Sequence, residues 1–320
     1  ALETIDRLLT QHPNFKGDFG RFMRLDKFER LLNLAGIATS DHVFHSLRVF
    51  LAGCPVIEQF HDRFEEAHRR YCVGSSTMCV EYSWLLTAVF HDVGRPAEGA
   101  RDLLLGQLED EYMEVRGRPE RWQQEKYADA LRILGSLAEF VAEGSDADSW
   151  DGGLVDDDYS KAVYLDWINI FDEFRIHGII SAVEFLADIV EKAKAANQMK
   201  YRPFVFTHAV PAALAILLHD WRIWKSHAKK WRLYPMNQKV LPLAALLIYL
   251  DTWDDYKRKA DGPEIYVEKY NVNADGAQVV VRWGNSECLE KEKIKYREFR
   301  RALDNRTFEL TIDARMVGDV

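Results

Sequence analysis

Trp84–Phe90 (WLLTAVF) and Leu241–Leu250 (LPLAALLIYL) are two apolar stretches of this chain that carry no charge. A helix that is apolar around its whole circumference offers no face to water, so both runs must be walled in by other elements. Each run also ends on ionisable groups. His91-Asp92 closes the first and is followed by Gly94, Arg95 and Pro96; Asp251 closes the second. A buried carboxylate is normally paired, hydrogen-bonded or bound to a metal, because an isolated buried charge is prohibitively costly. The rest of the chain must therefore supply partners at the ends of two buried helices.

Composition narrows what those partners serve. The 320 residues suffice for a large core and a smaller unit. With 42 Lys and Arg against 51 Asp and Glu, a formal net charge of -9, no nucleic-acid backbone binding is expected. A small anionic substrate held at a local metal site remains compatible. Cys54, Cys72, Cys79 and Cys288 show no CxxC spacing and read as reduced thiols of a cytoplasmic protein. No apolar run reaches membrane-spanning length, and Ala1–His12 carries Glu3, Asp6 and Arg7 in an amphipathic pattern unlike a signal peptide.

Helical periodicity predicts a mainly α fold. Apolar residues recur three and four apart, or all round, in Leu25–Leu34, Asp41–Leu51, Glu81–Phe90, Gln123–Ala142, Ile179–Ala195, Pro211–Trp224 and Leu241–Tyr256. Ser40-Asp41, Pro211 and Pro242 stand where helices start well. These segments predict an all-helical body over residues 1–262. After Gly262-Pro263 the character changes, and residues 263–320 read as a small β-β-α-β appendage. Its strands are Glu264–Val272, Ala277–Trp283 and Thr307–Asp313, its helix Glu287–Leu303, and its hairpin turn Asn273–Gly276. Glu143–Tyr159, acidic and glycine-bearing, reads as a loop.

His-Asp occurs three times, and context separates the copies. His61-Asp62 lies on a strongly polar helical face and reads as a solvated pair. His219-Asp220 follows the apolar run Ala212–Leu218, but a helix continuing through Trp221 and Ile223 would give it no abrupt end. His91-Asp92 alone is followed by helix-ending residues. His45 shares a helical face with His42 and Arg48, while His177 and His208 stand at or just before the starts of apolar helices. Helix-end side chains of this kind can reach a common cavity whose walls are the helices themselves.

Taken in order, His45, His91-Asp92, His177, His208 and Asp251, with the strings HSLRVF, FHDVGR, HGIISA and LLIYLD, resemble the HD-domain superfamily over roughly residues 38–258. The resemblance implies an all-α body holding one or two divalent transition metal ions, drawn from Fe, Mn, Co, Ni and Zn. The six positions would be the metal ligands: Asp92 bridges, His45, His91 and Asp251 serve one ion, and His177 and His208 serve the other. The implied activity is a phosphohydrolase that cleaves a small phosphoester or nucleotide with a metal-activated hydroxide. Asp92 and Arg95 would then act in the reaction, with Arg95, Arg48 and His42 toward the substrate. Arg95 stands where phosphohydrolase members often carry Lys; it keeps the charge but cannot donate a proton at neutral pH. There is no Gly-Tyr-Pro element and no His-His-Glu run, so the likeness does not extend to the branch that hydrolyses cyclic di-GMP.

Two other functions fit the same ligands. One is a di-iron oxygenase, similar to the inositol-oxygenase type of HD protein. The other is a non-catalytic, ligand-sensing module in which the appendage, through the open edge of its sheet, pairs with a second copy.

Overall fold

In a computed structural model, the structure describes residues 42–71, 80–95, 125–142, 166–167, 169, 176–195, 205–220, 222–223, 231, 233, 235–254, 265–284, 286–304 and 306–317. The described residues are mostly helical, with a few strands in small sheets. The described helices are α1 (His42–Gln59), α2 (His61–Arg69), α3 (Val80–Phe90), α4 (Glu125–Ala142), α5 (His177–Ala195), α6 (Val210–Leu218), α7 (Pro242–Asp254) and α8 (Ser286–Ala302). The strands are β1 (Met236–Asn237), β2 (Ile265–Val272), β3 (Gly276–Trp283), β4 (Leu303–Asp304) and β5 (Glu309–Met316). None of the described helices is long and apolar enough to cross a membrane. The expected helix at Leu25–Leu34 and loop at Glu143–Tyr159 lie outside the described residues.

Spatial contacts divide the chain into two units, residues 1–64 with 234–320, and residues 65–233. In the first, the charge-free run Leu241–Leu250 is buried throughout, and α7 packs on α1 and β5. The Tyr249 hydroxyl donates to the Thr311 carbonyl at 3.0 Å, which ties α7 to the sheet. In α1, Pro55 leaves the helical ladder one donor short. The neighbouring Ala52 carbonyl accepts the Tyr270 hydroxyl at 2.7 Å. Phe308 stacks on Phe60 and Phe64 with ring centroids 5.0 and 5.3 Å away.

The C-terminal elements follow the expected β-β-α-β order, with β3 central, antiparallel to β2 and parallel to β5. Asn273 builds the hairpin turn, its side-chain oxygen accepting the amides of Asp275 and Gly276 at 2.9 and 3.1 Å. Gly276 is required by close approach, because a Cβ there would lie 1.9 Å from the Glu309 carbonyl oxygen. The last strand begins at Glu309, later than expected. The Thr307 and Phe308 amides are taken instead by the buried Gln238 side chain, at 2.6 and 3.3 Å. It then runs to Met316 through polar residues whose pairing with β3 the alternation did not reveal.

In the second unit α6 is the axis. Every residue from Val210 to Leu218 is buried, and α3, α4 and α5 pack around it. Phe90 of α3 lies against Phe185 of α5 with centroids 4.9 Å apart. The helix expected to run from Pro211 to Trp224 stops at Leu218 because Asp220 begins a new turn. Its carboxylate accepts the Arg222 amide at 3.0 Å, and its carbonyl accepts the Ile223 amide at 2.9 Å.

Candidate metal centre

Three helix ends meet in the second unit, and two glycines let them meet. The turn after α3 carries His91 and Asp92, both completely buried. Two residues on, a Cβ at Gly94 would lie 2.8 Å from the His177 carbonyl oxygen, the Ile180 Cβ and the Ser181 amide. The bare backbone therefore rests on the first turn of α5, where the Gly94 amide donates to the Ser181 hydroxyl at 2.8 Å. Gly178 does the same at the other contact: a Cβ there would meet the Leu217 carbonyl at 3.1 Å and the Asp220 Cβ at 3.2 Å. These approaches bring together His91-Asp92, His177 at the start of α5, and His219 at the C-cap of α6.

The ring protons of the three histidines are committed away from one another. His91 Nδ1 donates to the Ala88 carbonyl at 2.9 Å, and His219 Nδ1 donates to the Ile216 carbonyl. His177 Nδ1 lies 2.9 Å from an Asp220 oxygen. An Arg222 nitrogen is 3.0 Å from the same His177 atom. Arg222 and His177 cannot both use that atom's lone pair and proton, and a carboxylate only accepts, so Nδ1 keeps its proton for Asp220 while Arg222 donates to Asp220 as well.

Each Nε2 is thereby left as an acceptor. His177 and His219 Nε2 are 2.9 Å apart, and they lie 3.4 and 4.0 Å from the same Asp92 oxygen. His91 Nε2 is 3.5 Å from the other Asp92 oxygen. Lone pairs facing one another at such distances repel unless a proton or a cation sits between them. A metal fits, since ligand atoms about 2.1 Å from one ion lie no more than about 4.2 Å from each other. The group Asp92, His177 and His219 could therefore hold a metal ion.

Charge around the group is asymmetric. Arg95 Nε donates to Asp92 at 3.3 Å with its side chain about one-third exposed. Burial alone would raise the Asp220 carboxyl, but His177 and Arg222 outweigh it and hold it well below the usual carboxylate range.

Two of the other residues singled out from the sequence pair with each other in the first unit. His45, completely buried on α1, pairs with Asp251 of α7 at 3.0 Å within the first unit. Arg48 is half-buried on α1. The side chain of His42 is outside the described residues. His61 is half-buried and Asp62 exposed, 3.8 Å apart.

His208, expected as a ligand, sits in a π turn (Val205–Ala209) and joins a different buried chain. Its Nδ1 lies 3.0 Å from the Ser83 hydroxyl, which lies 2.7 Å from His68 Nε2. His219 takes the place beside His177 that the resemblance gave to His208. The missed signals were Asp220, whose capping ends α6 at the histidine, and the glycine after His177.

His68 carries a pH consequence. Burial first, and His208 second, push it down to about 3, against a smaller opposing effect of the Thr207 carbonyl. The unfolded chain therefore takes up this proton first as pH falls. The stability due to neutral His68 is full above about pH 6.5 and is lost progressively toward pH 3. Wild type should lose up to about 1.4 kcal/mol more per pH unit than His68→Gln between roughly pH 6 and pH 4, in urea titrations of the full chain. Parallel slopes would mean that His68 is protonated in the folded protein.

Compared with known proteins, the chain matches no family model, no curated protein and no solved structure.

Proposed function

We propose that the chain is a metal-dependent phosphohydrolase of the HD-domain type, acting on a small phosphorylated substrate. The observation that carries this reading is the convergence of the His177 and His219 Nε2 atoms on Asp92, with each Nδ1 proton committed elsewhere. A bound divalent ion would supply an acidic water near neutral pH and a Lewis-acid partner for a phosphoryl oxygen. The chain's own residues do the rest. Asp92 places negative charge between the imidazoles, and the Ala88 and Ile216 carbonyls and Asp220 hold the three rings in one tautomer. Arg95, paired with Asp92 yet partly exposed, offers a planar cation to the non-bridging oxygens of a phosphate.

The test is a screen of phosphoester hydrolysis with Mn, Fe or Zn added, run beside oxygen uptake with reduced iron. Hydrolysis should appear without oxygen consumption, and oxygen uptake without hydrolysis would replace this reading with an oxygenase. Arg95→Ala should lower kcat/KM for phosphoesters by about 100-fold while metal stoichiometry is retained. Equal loss of metal and activity would show that Arg95 holds the centre together instead of meeting the phosphate.

A further inference from the structure

Asp220 is the residue behind the centre that neither the composition nor the resemblance singles out. Its carboxylate is almost completely buried, and each of its contacts is a donor: the Arg222 amide and Nε on one oxygen, and Arg222 Nε, an Arg222 terminal nitrogen and His177 Nδ1 on the other. Gly178 favours this placement, since a Cβ there would press on the Asp220 Cβ at 3.2 Å and on the Leu217 carbonyl at 3.1 Å. Arg222, one-third exposed, closes the far side of the carboxylate. The series Arg222, Asp220, His177 thus runs inward and ends at the His177 Nε2 atom that faces Asp92 and His219.

We propose that Asp220, clamped by Arg222, is a positioning residue that holds His177 in the Nδ1–H tautomer and strengthens Nε2 as a donor to a divalent transition metal. This rests on the metal-centre reading above. A carboxylate behind a ligating imidazole fixes ring orientation and raises ligand basicity, and losing such a residue typically weakens metal binding by about 10- to 100-fold. Arg222 contributes indirectly: without its fork, the carboxylate is free to rotate away from the ring.

The experiment titrates the full-length, metal-free protein with Zn²⁺ alone, by calorimetry, in wild type, Asp220→Asn, Asp220→Ala, Arg222→Gln and His219→Ala. Nitrogen-15 NMR of the imidazoles reports the His177 tautomer before any metal is added. Wild type should show a single Nδ1–H tautomer. Asp220→Ala should mix the tautomers and weaken zinc binding by about 10- to 100-fold. Asp220→Asn, which keeps an acceptor but not the charge, should fall between, and Arg222→Gln should lose less. If Asp220→Ala fails to fold, Asp220→Asn and Arg222→Gln still decide.

Wild-type affinity and an unmixed tautomer in the Asp220 variants, alongside weakened binding in His219→Ala, would overturn the role of Asp220 and leave the metal centre standing. Absence of zinc binding in wild type would overturn both.

Discussion

Asp92→Ala should abolish high-affinity metal binding. Its two oxygens face all three imidazoles and Arg95, so the alanine variant leaves a cluster of neutral nitrogen ligands beside a cation. Two effects separate. In the metal-free protein, removing one member of a buried charge network costs about 3–5 kcal/mol, less here because Arg95 is partly exposed. With metal at 100 times the wild-type Kd, the further stabilisation of about 2.7 kcal/mol should vanish altogether. Melting scans with and without Zn²⁺ measure both, and phosphoester hydrolysis should fall to background. His219→Ala should behave alike for metal, whereas His208→Ala should keep its metal because His208 bonds to Ser83. The reverse order, with metal lost in His208→Ala and kept in His219→Ala, would sink the ligand assignment.

Gly94→Ala should damage the same centre without touching a ligand. The new methyl would sit 2.8 Å from two backbone atoms of α5, and a helix backbone cannot swing aside as a side chain can. Overpacking of this kind costs about 1–3 kcal/mol. Displacing the turn also strains the Gly94–Ser181 hydrogen bond, worth about 1 kcal/mol. The melting temperature should fall by roughly 5–10 °C, and zinc affinity by about tenfold or more, as the His91-Asp92 turn lifts from His177. Gly135→Ala is the internal control: nothing lies within 4 Å of a Cβ on that face of α4. A helix-interior alanine there should be neutral or stabilise by up to about 1 kcal/mol. Indistinguishable behaviour of the two variants in melting and zinc titration would refute the close-packing account.

Much of the frame was legible in the residues. Charge-free runs at Trp84–Phe90 and Leu241–Leu250 demand burial whatever surrounds them, and both are buried. The change from helical to strand patterning near Gly262-Pro263 reflects local backbone preferences, as does the Asn273 turn, and these survive packing. Misreadings came where a single side chain overrode periodicity. Asp220 captured the Arg222 amide and ended α6 at Leu218, and Gln238 captured the amides of Thr307 and Phe308 that alternation assigned to a strand.

Residue types alone established that His91, Asp92 and His177 stand at the ends of apolar helices, where polar groups can gather without crossing a core. They could not choose between His208 and His219. Both flank the same buried helix, α6, one before its start and one at its end, so patterning treats them alike. Only the tertiary structure separates them. The bare backbone at Gly178 lets the start of α5 meet the end of α6, which seats His219 beside His177, and Ser83 takes His208 into another hydrogen-bonded chain. Which imidazoles share a site is set by the distance of approach between backbones, and that distance is a property of the packed helices together.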